Sequence, residues 1–250
     1  MNIALETRGL CKSFGALTVA DNIDFRLESG ARHALIGPNG AGKTTFVNML
    51  TGVLSPSSGR IVLGGEDITA TGQAKRVKLG LGRTFQINAL FRRLAVLDNV
   101  ALAVAERRGV APRMLRAASM HEDVRAESME LLATLGLAED ANQRILDLPY
   151  GKQRLVEIAI ALGLKPRVLL LDEPAAGVPS LESYRILQVL DNLPEHIAIL
   201  IIEHDMDLVF RFARRITVLV QGEVLVEGPP EEIAKDKRVH QVYLGEQHHG

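Results

Sequence analysis

A glycine-rich segment at residues 37–44 carries the clearest chemistry in the sequence. It reads Gly-Pro-Asn-Gly-Ala-Gly-Lys-Thr and fits the pattern G-x-x-x-x-G-K-[ST]. In that pattern glycines let backbone N–H groups curl around phosphate oxygens, the lysine reaches the β and γ phosphates, and the final hydroxyl binds Mg²⁺. The alternative is a simple glycine-rich turn. The nucleotide-binding interpretation assigns the contacts to Gly37, Pro38, Asn39, Gly40, Ala41, Gly42, Lys43, Thr44 and Thr45.

Two adjacent carboxylates follow a second apolar segment. Residues 168–171 read Val-Leu-Leu-Leu, which is typical of a strand buried on both faces of a parallel sheet, and Asp172 and Glu173 come next. We predict that this strand lies beside the phosphate loop. Asp172 would then bind Mg²⁺ directly or through water, and Glu173 could act as general base toward an attacking water. The alternative is a carboxylate pair that only caps a strand.

Two further polar residues lie where they could contact a bound nucleotide or its Mg²⁺. His204 follows the apolar run 198–202, and polar residues at the carboxyl end of such a strand lie in the ligand crevice of an open α/β sheet. A neutral histidine there could donate to the γ-phosphate, although an isolated histidine is more often structural. Gln86, just before a helical region, could touch Mg²⁺ or the attacking water, but by itself carries almost no weight.

The segment 148–153 precedes a helical pattern at about 152–163. Backbone N–H groups at a helix start can bind anions. The alternative is that Pro149 simply starts the helix. The residues of this segment are Leu148, Pro149, Tyr150, Gly151, Lys152 and Gln153.

The surrounding elements must position these residues. Residues 32–36 predict a strand that enters the glycine-rich turn, and 43–51 predict a helix that Gly52 stops. Residues 23–27 alternate as a half-buried antiparallel strand does, and a two-residue turn at 221–222 predicts a hairpin. The pattern from about Val96 to Leu148 is helical, with an irregular or short-helical stretch at 105–123. Other helical patterns and apolar strands lie at 181–191, 198–202 and 206–213.

These elements predict an α/β fold: a P-loop ATPase core with a parallel sheet, an N-terminal antiparallel β subdomain and an inserted α-helical subdomain. We expect a single domain over residues 1–250. The core with its antiparallel subdomain would span about 1–85 and 160–250, and the helical subdomain about 87–159.

The amino-acid composition argues against several classes of binding partner. Lys and Arg total 29 against 30 for Asp and Glu, so the net charge of −1 gives no drive toward nucleic acid or an acidic membrane surface. Aromatic residues make up 4%, which argues against a base-stacking platform. No apolar run approaches the ~18 residues of a membrane span, and the N-terminus lacks the layout of a signal peptide. The single cysteine, Cys11, points to a reducing compartment.

In order along the chain, these motifs resemble the nucleotide-binding subunit of ABC transporters. The resemblance covers essentially the whole sequence and rests on an aromatic near the start, the phosphate loop, Gln86, a signature at 148–153, the carboxylate pair and His204. Within that family the chain is most similar to the ATPases of branched-chain (hydrophobic) amino acid importers. The stretches that carry this finer resemblance are Arg83-Thr84-Phe85-Gln86, the signature form Leu-Pro-Tyr-Gly, Glu157-Ile158-Ala159, the run from Asp172 to Gly177, and Val242-Tyr243-Leu244-Gly245-Glu246.

The resemblance implies ATP and Mg²⁺ as ligands and assigns each motif a role. Phe14 would stack on the adenine. Thr44 would hold Mg²⁺, with Gln86 and Asp172 acting through its waters. Glu173 would be the base, and His204 would contact the γ-phosphate. Two cassettes, in a heterodimer or a homodimer, would sandwich two ATP molecules head to tail, with each signature completing the other's site.

The implied partners are transmembrane permease subunits, a second ABC ATPase subunit and, indirectly, a solute-binding protein, with no nucleic acid. The chain would lie peripherally on the cytoplasmic face of the inner membrane. In such a complex the apolar residues Ile87, Leu90 and Phe91 suggest a groove for a short permease helix. The alternative is that these side chains pack within the domain.

Two departures from the family pattern concern the contacts between cassettes. Pro149 replaces the usual serine of the signature and Tyr150 its first glycine. Pro179 follows Gly177-Val178, where the family usually carries Asp or Asn.

Several other functions compete with the importer reading. A soluble ABC ATPase acting on nucleic acid or ribosomes usually carries tandem cassettes or basic extensions, which this near-neutral single cassette lacks. The intact Asp172, Glu173 and His204 argue against an ATP-gated clamp without turnover. The ordered signature and His204 argue against a small-molecule kinase. Related cassettes also serve urea, aromatic acids and other solutes.

Overall fold

The computed structural model of the protein describes residues 2–84, 90–110 and 122–245. The strands in these ranges, β1 to β10 in chain order, are Ile3–Phe14, Leu17–Glu28, Arg32–Ile36, Ser58–Leu63, Glu66–Asp67, Leu81–Arg83, Val168–Asp172, Ala198–Ile202, Arg215–Val220 and Glu223–Gly228. The α-helices in the same ranges, α1 to α9, are Lys43–Thr51, Gln73–Lys78, Val96–Arg107, Glu122–Thr134, Tyr150–Gly163, Ser180–Asp191, Met206–Phe212, Pro230–Ile233 and Lys237–Gly245. Short 3-10 turns lie at Ala138–Asp140 and Ile145–Asp147.

The chain divides into two compact units. The first comprises Met1–Leu81, Arg167–Glu173 and Pro194–Gly250, and the second comprises Gly82–Pro166 and Pro174–Leu193. Thus each unit is built from segments that are distant in sequence. The predicted single domain with its core and inserted helical subdomain stays a prediction.

The first unit contains two sheets. A four-stranded antiparallel sheet has the order β2-β1-β4-β5, and a six-stranded sheet has the order β10-β9-β3-β8-β7-β6. Strand β3 pairs parallel to both β8 and β9, and β7 pairs parallel to β8. The predicted α/β class, with a parallel sheet and an N-terminal antiparallel sheet, is confirmed.

The sheet order separates the strand that ends in Asp172 from the strand that enters the phosphate loop. Strand β8 lies between β7 and β3. The apolar pattern of the strands does not predict this order, because β7 and β8 are both buried on two faces.

Strand β2 shows how the two sheets share a core. Ile23, Phe25 and Leu27 are buried, whereas Asp24 and Arg26 point to solvent, as the alternating pattern predicted. The Phe25 ring contacts the rings of His33 on β3 and Phe46 on α1 edge-on, with centroids 5.1 and 5.5 Å apart. The apolar face of the antiparallel sheet therefore packs onto the parallel sheet and onto α1, the helix that follows the glycine-rich turn.

His33 is a buried titratable group in this core. Its Nε2 lies 2.8 Å from the Thr217 hydroxyl, which donates to Glu227 at 2.7 Å. Burial lowers the pKa of His33 to about 4, and the opposing charge of Glu227 only partly offsets this effect. His33 is therefore neutral in the folded protein at neutral pH.

We expect His33 to make the fold sensitive to acid. Since its folded pKa lies below the usual 6.5, its contribution to stability is complete above pH 6.5 and is lost as the pH falls toward about 4. The loss amounts to about 3 kcal/mol at about 1.4 kcal/mol per pKa unit. His33→Gln cannot titrate and should flatten this part of the pH profile of the unfolding free energy, measured by urea denaturation. Parallel profiles for the two proteins would contradict the assignment.

The second unit is helical in its described part. Gly163 of α5 lies against Ala103 and Val104 of α3, so these two helices approach closely. Leu132 and Leu135 are buried, and Gly136 follows α4 with a φ of 69°, in agreement with the predicted helix end. Most of the predicted irregular stretch at 105–123 lies outside the described residues. Among the helices of the described ranges, none combines the length and the apolar character needed to cross a lipid bilayer.

Candidate ATP site

The phosphate loop connects the end of β3 with the start of α1, as predicted. Its glycines are required by close backbone approach. A β-carbon at Gly37 would overlap the carbonyl oxygen of Leu219, and one at Gly42, where φ is 96°, would lie 2.6 Å from the carbonyl oxygen of Val19. Any larger residue at these two positions would push the loop away from the strands behind it.

The turn between β9 and β10 supports this loop from behind. The Gly222 N–H donates to the Ala41 carbonyl at 3.0 Å, and the Gly222 carbonyl accepts from the Asp21 N–H at 2.9 Å. The sequence predicted the hairpin but not this contact. The only local signal was Gly222 itself, whose φ is 85°.

Lys43 and the start of α1 form the charged part of the loop. The Lys43 ammonium donates to the carbonyl oxygens of Gly37 and Pro38, at 2.6 and 3.0 Å. The first turn of α1 contains no acidic side chain, and no side chain caps it at Gly42. Its N–H groups and the positive end of the helix dipole can therefore bind an anion. Asn39, Gly40 and Thr44 are exposed, as contact with a ligand requires.

Phe14 lies at the end of β1, and 52% of it is exposed. The Lys12 ammonium sits 5.0 Å from the centroid of its ring. An exposed aromatic face of this kind can stack on a flat heterocycle. Phe14 is a residue predicted from the sequence, whereas Lys12 is not. Lys12 lies two residues before Phe14 on the strand, which places both on the same face.

Asp172 and Glu173 lie at the carboxyl end of β7. Asp172 is half-buried and is the last residue of the strand. Glu173 adopts a φ of 48°, in the left-handed region, and its N–H donates to the Ile202 carbonyl at 2.9 Å. Such a conformation costs about 1–3 kcal/mol in a residue other than glycine, and it is concentrated at functional sites. The backbone bond to β8 holds Glu173 in this conformation, with its side chain more than half exposed.

His204 lies beside Glu173 in the first unit. Its Nδ1 is 3.5 Å from Glu173 Oε1 and 3.9 Å from Glu203 Oε2. Glu203 is buried, and its carboxylate also accepts the His204 N–H at 3.2 Å. The sequence motifs did not indicate a role for Glu203. The feature that could have indicated it is a charged residue between a fully apolar strand and a candidate site histidine.

The donors present fit Mg²⁺ bound together with a nucleotide. Thr44 offers a hydroxyl and Asp172 a carboxylate, and Mg²⁺ prefers oxygen ligands while keeping several waters. Two inter-strand spacings separate β7 from β3, about 10 Å in total. Within the described residues, no group of three or more His, Cys, Asp or Glu side chains could hold a metal by itself. Gln86, the other predicted metal-site residue, lies outside these residues.

The segment 148–153 belongs to the second unit, and its members differ in accessibility. The Gln153 side-chain amide donates to the Leu148 carbonyl at 2.9 Å, and both residues are buried. Lys152 pairs with Asp140 at 2.7 Å. Pro149 and Tyr150 are exposed, and α5 begins at Tyr150, two residues before the predicted start. The side chains of Leu148 and Gln153 therefore pack within the unit, and a contact with an ATP of a second cassette stays a prediction.

The phosphate loop, the exposed aromatic ring and the carboxylate–histidine pair, on a sheet with β8 between β3 and β7, define a P-loop nucleotide-binding ATPase. The ABC transporter family model matches residues 20–176, and the model for the branched-chain amino acid ATP-binding cassette transporter matches residues 223–249. The chain belongs to the ABC transporter family, as the ATP-binding, ATP-hydrolysing cassette.

Individual relatives match nearly the whole chain. The high-affinity branched-chain amino acid transport ATP-binding protein LivG of Escherichia coli K12 is 37% identical, over 97% of this chain and 98% of its own. Its counterpart BraF of Pseudomonas aeruginosa is 38% identical over the same shares. The ADP conformation of an ATP-binding cassette of an ABC transporter superimposes with a TM-score of 0.87 and 28% identity, covering 98% of this chain and all of that one. The dimeric structure of a bacterial ABC transporter cassette superimposes with a TM-score of 0.75 and 25% identity, covering 90% of this chain and 98% of that one.

Proposed function

We propose that this cassette energises the import of branched-chain amino acids. The observation that carries the proposal is the match of residues 223–249 to the branched-chain cassette model, because this segment lies outside the part matched by the general family model. The names of the relatives LivG and BraF support the same solute class. The chain would bind peripherally at the cytoplasmic face of the inner membrane, on permease subunits that receive solute from a binding protein.

Within the cassette each site residue has a role that follows from its chemistry. Lys43 and the N–H groups of the loop hold the β and γ phosphates, and Phe14 stacks on the adenine. Bound Mg²⁺, held by Thr44 and through water by Asp172 and Gln86, would neutralise phosphate charge. Glu173 accepts a proton from the attacking water. His204, whose backbone N–H donates to the buried Glu203 carboxylate, donates from its ring to the γ-phosphate.

A second cassette would complete the functional unit. The dimeric cassette structure among the relatives supports such a pairing. In it, the exposed start of α5 would face the other subunit's ATP. Pro149 has neither a hydroxyl nor an N–H to offer there, so the Gly151 N–H and the helix dipole would supply the contact.

Reconstitution tests the proposed function. The chain, its permease subunits, a second cassette and the solute-binding protein are placed in lipid vesicles, and ATP hydrolysis and solute uptake are measured together. We expect leucine, isoleucine or valine to stimulate hydrolysis and to accumulate. Stimulation by urea or an aromatic acid instead would contradict the solute class, and hydrolysis stimulated by nucleic acid would contradict the transport function.

An exposed apolar patch on the second unit is a suitable docking surface for a permease helix. The residues predicted for it from the sequence are Ile87, Leu90 and Phe91. Leu90 is in fact buried, whereas 59% of Phe91 is exposed, and Ile87 lies outside the described residues. Leu94 and Leu146 are also exposed, and the Leu146 N–H donates to the Arg92 carbonyl at 3.0 Å, which brings the two chain segments together. We call Phe91, Leu94 and Leu146 the coupling patch.

We expect Phe91→Glu to uncouple transport from hydrolysis. A charge on the coupling patch would have to be desolvated when an apolar helix docks, which costs several kcal/mol. ATP-driven uptake should therefore fall at least tenfold, while basal hydrolysis by the purified cassette stays within about twofold. Val53→Glu is the control, because Val53 is similarly exposed but lies in the first unit. Equal loss of uptake in both variants, or loss of basal hydrolysis with Phe91→Glu, would contradict a docking role.

A further inference from the structure

A buried ion pair lies on α5, directly after the signature. Arg154 Nη1 is 3.0 Å from Glu157 Oε2, and the two residues are only 8% and 6% exposed. In the described structure, Arg154 Nε and Glu157 Oε1 are buried without a hydrogen-bond partner. Burial raises the pKa of Glu157, even though Arg154 opposes this effect. A buried pair of this kind is commonly less stable than apolar side chains of the same size, so stability does not explain why these residue types stand here.

Arg154 also holds the exposed aromatic residue of the signature. Its Nη2 donates to the Tyr150 hydroxyl at 3.2 Å. Its guanidinium carbon lies 5.3 Å from the centroid of the same ring, within the range of a cation–π contact. One guanidinium thus contacts both the face and the hydroxyl of Tyr150, while Glu157 fixes the guanidinium from the other side.

The Tyr150 ring in turn lies beside Gly177 in the loop 174–179. A β-carbon at Gly177 would lie 3.5 Å from Tyr150 Cε1, so the ring occupies the space next to this glycine. Gly177 has a φ of 73°, and the turn around it is closed by a hydrogen bond from the Val178 N–H to the Ala175 carbonyl at 3.1 Å. Along the chain, this loop directly follows the proposed base Glu173.

We infer that Arg154 and Glu157 are positioning residues that act through Tyr150. The buried pair fixes the ring, and the ring fixes the start of α5 against the loop 174–179. The signature that faces the second cassette and the segment that leaves the catalytic carboxylate are therefore held in one arrangement. This inference rests on the proposed function, since it assigns the pair an effect on ATP hydrolysis by the paired cassettes.

An apolar replacement separates positioning from stability. In Arg154→Met/Glu157→Leu the pair is replaced by side chains of similar volume, so the melting temperature should stay the same or rise. We expect kcat for ATP hydrolysis by the cassette paired with its partner cassette to fall about tenfold, as for one lost charge-assisted hydrogen bond, with a smaller change in KM. The matched control is Arg144→Met/Asp147→Leu, which replaces an exposed ion pair of the same spacing in the same unit. Its melting temperature and its kcat should both match the wild-type values.

Tyr150→Phe provides the second arm. It keeps the ring but loses the hydroxyl bond to Arg154, and kcat should fall about threefold to tenfold. If the pair acts through Tyr150, adding Tyr150→Phe to the apolar double variant should lower kcat no further. The single variant Arg154→Lys keeps the positive charge but loses the planar guanidinium. Its kcat should therefore lie between the wild-type value and that of the apolar double variant.

Distinct outcomes would overturn the inference. If the apolar double variant kept the wild-type kcat, the pair would not act through the ring. The same would follow if combining Tyr150→Phe with the double variant multiplied their separate effects on kcat. If the double variant fails to fold, an unchanged kcat in Tyr150→Phe would overturn the inference equally. Absence of hydrolysis in the wild-type cassettes would instead contradict the proposed function itself.

Discussion

Glu173→Gln should bind MgATP with nearly wild-type affinity and hydrolyse it about 10² to 10⁴ times more slowly, the usual cost of removing a general base. The amide keeps the size of the carboxylate but cannot accept a proton from water. The backbone bond from the Glu173 N–H to Ile202 is independent of the side chain, so the left-handed conformation should persist. Single-turnover hydrolysis and equilibrium binding of a fluorescent ATP analogue measure the two effects separately.

A matched control and a contrasting outcome make this experiment decisive. Glu66→Gln changes an exposed glutamate of the first unit that lies outside the candidate site, and should alter neither property. If Glu173→Gln lost nucleotide binding rather than turnover, Glu173 would be a metal ligand and not the base.

Lys43→Ala should abolish most ATP binding, with a loss of about 10- to 100-fold for one charge-assisted contact to phosphate and a corresponding loss of turnover. In the structure the Lys43 ammonium donates to the Gly37 and Pro38 carbonyls, and the residue is half-exposed. Its removal leaves no cavity in the core, so the melting temperature should change little. Calorimetric titration with ATP and thermal unfolding measure both quantities.

The control for this substitution is Lys75→Ala, which removes an exposed lysine from α2 in the same unit. Near-normal hydrolysis by a folded Lys43→Ala protein would exclude residues 37–44 as the phosphate-binding loop.

Local signals in the sequence were enough to predict most helices and strands and to propose the candidate site residues. Strand β3, helix α1 and strand β8 have their predicted bounds, because apolar runs, glycine stops and helical periodicity are properties of neighbouring residues. The phosphate loop is partly of the same kind, since the positive φ angles of Gly40 and Gly42, 77° and 96°, are a local property of the loop that favours glycine. Motif order then sufficed to indicate the family, and the comparisons confirmed it.

Tertiary structure alone decided which of these elements become neighbours. The position of β8 between β3 and β7 is a matter of long-range pairing, and apolar strands buried on both faces carry no mark of their order in a sheet. The same is true of Leu90 and Phe91, adjacent apolar residues of which one is buried and the other exposed.

The contacts of Glu203 with His204, of Gly222 with the phosphate loop and of Tyr150 with Gly177 also became visible only in the folded chain. The last two join residues far apart in sequence, and the buried carboxylate of Glu203 depends on what packs around it. Sequence periodicity reports the faces of single elements, whereas such contacts depend on how several elements pack together. The sequence by itself therefore determined the chemistry that this protein can carry, and the packing of its strands and helices decided which side chains carry it together.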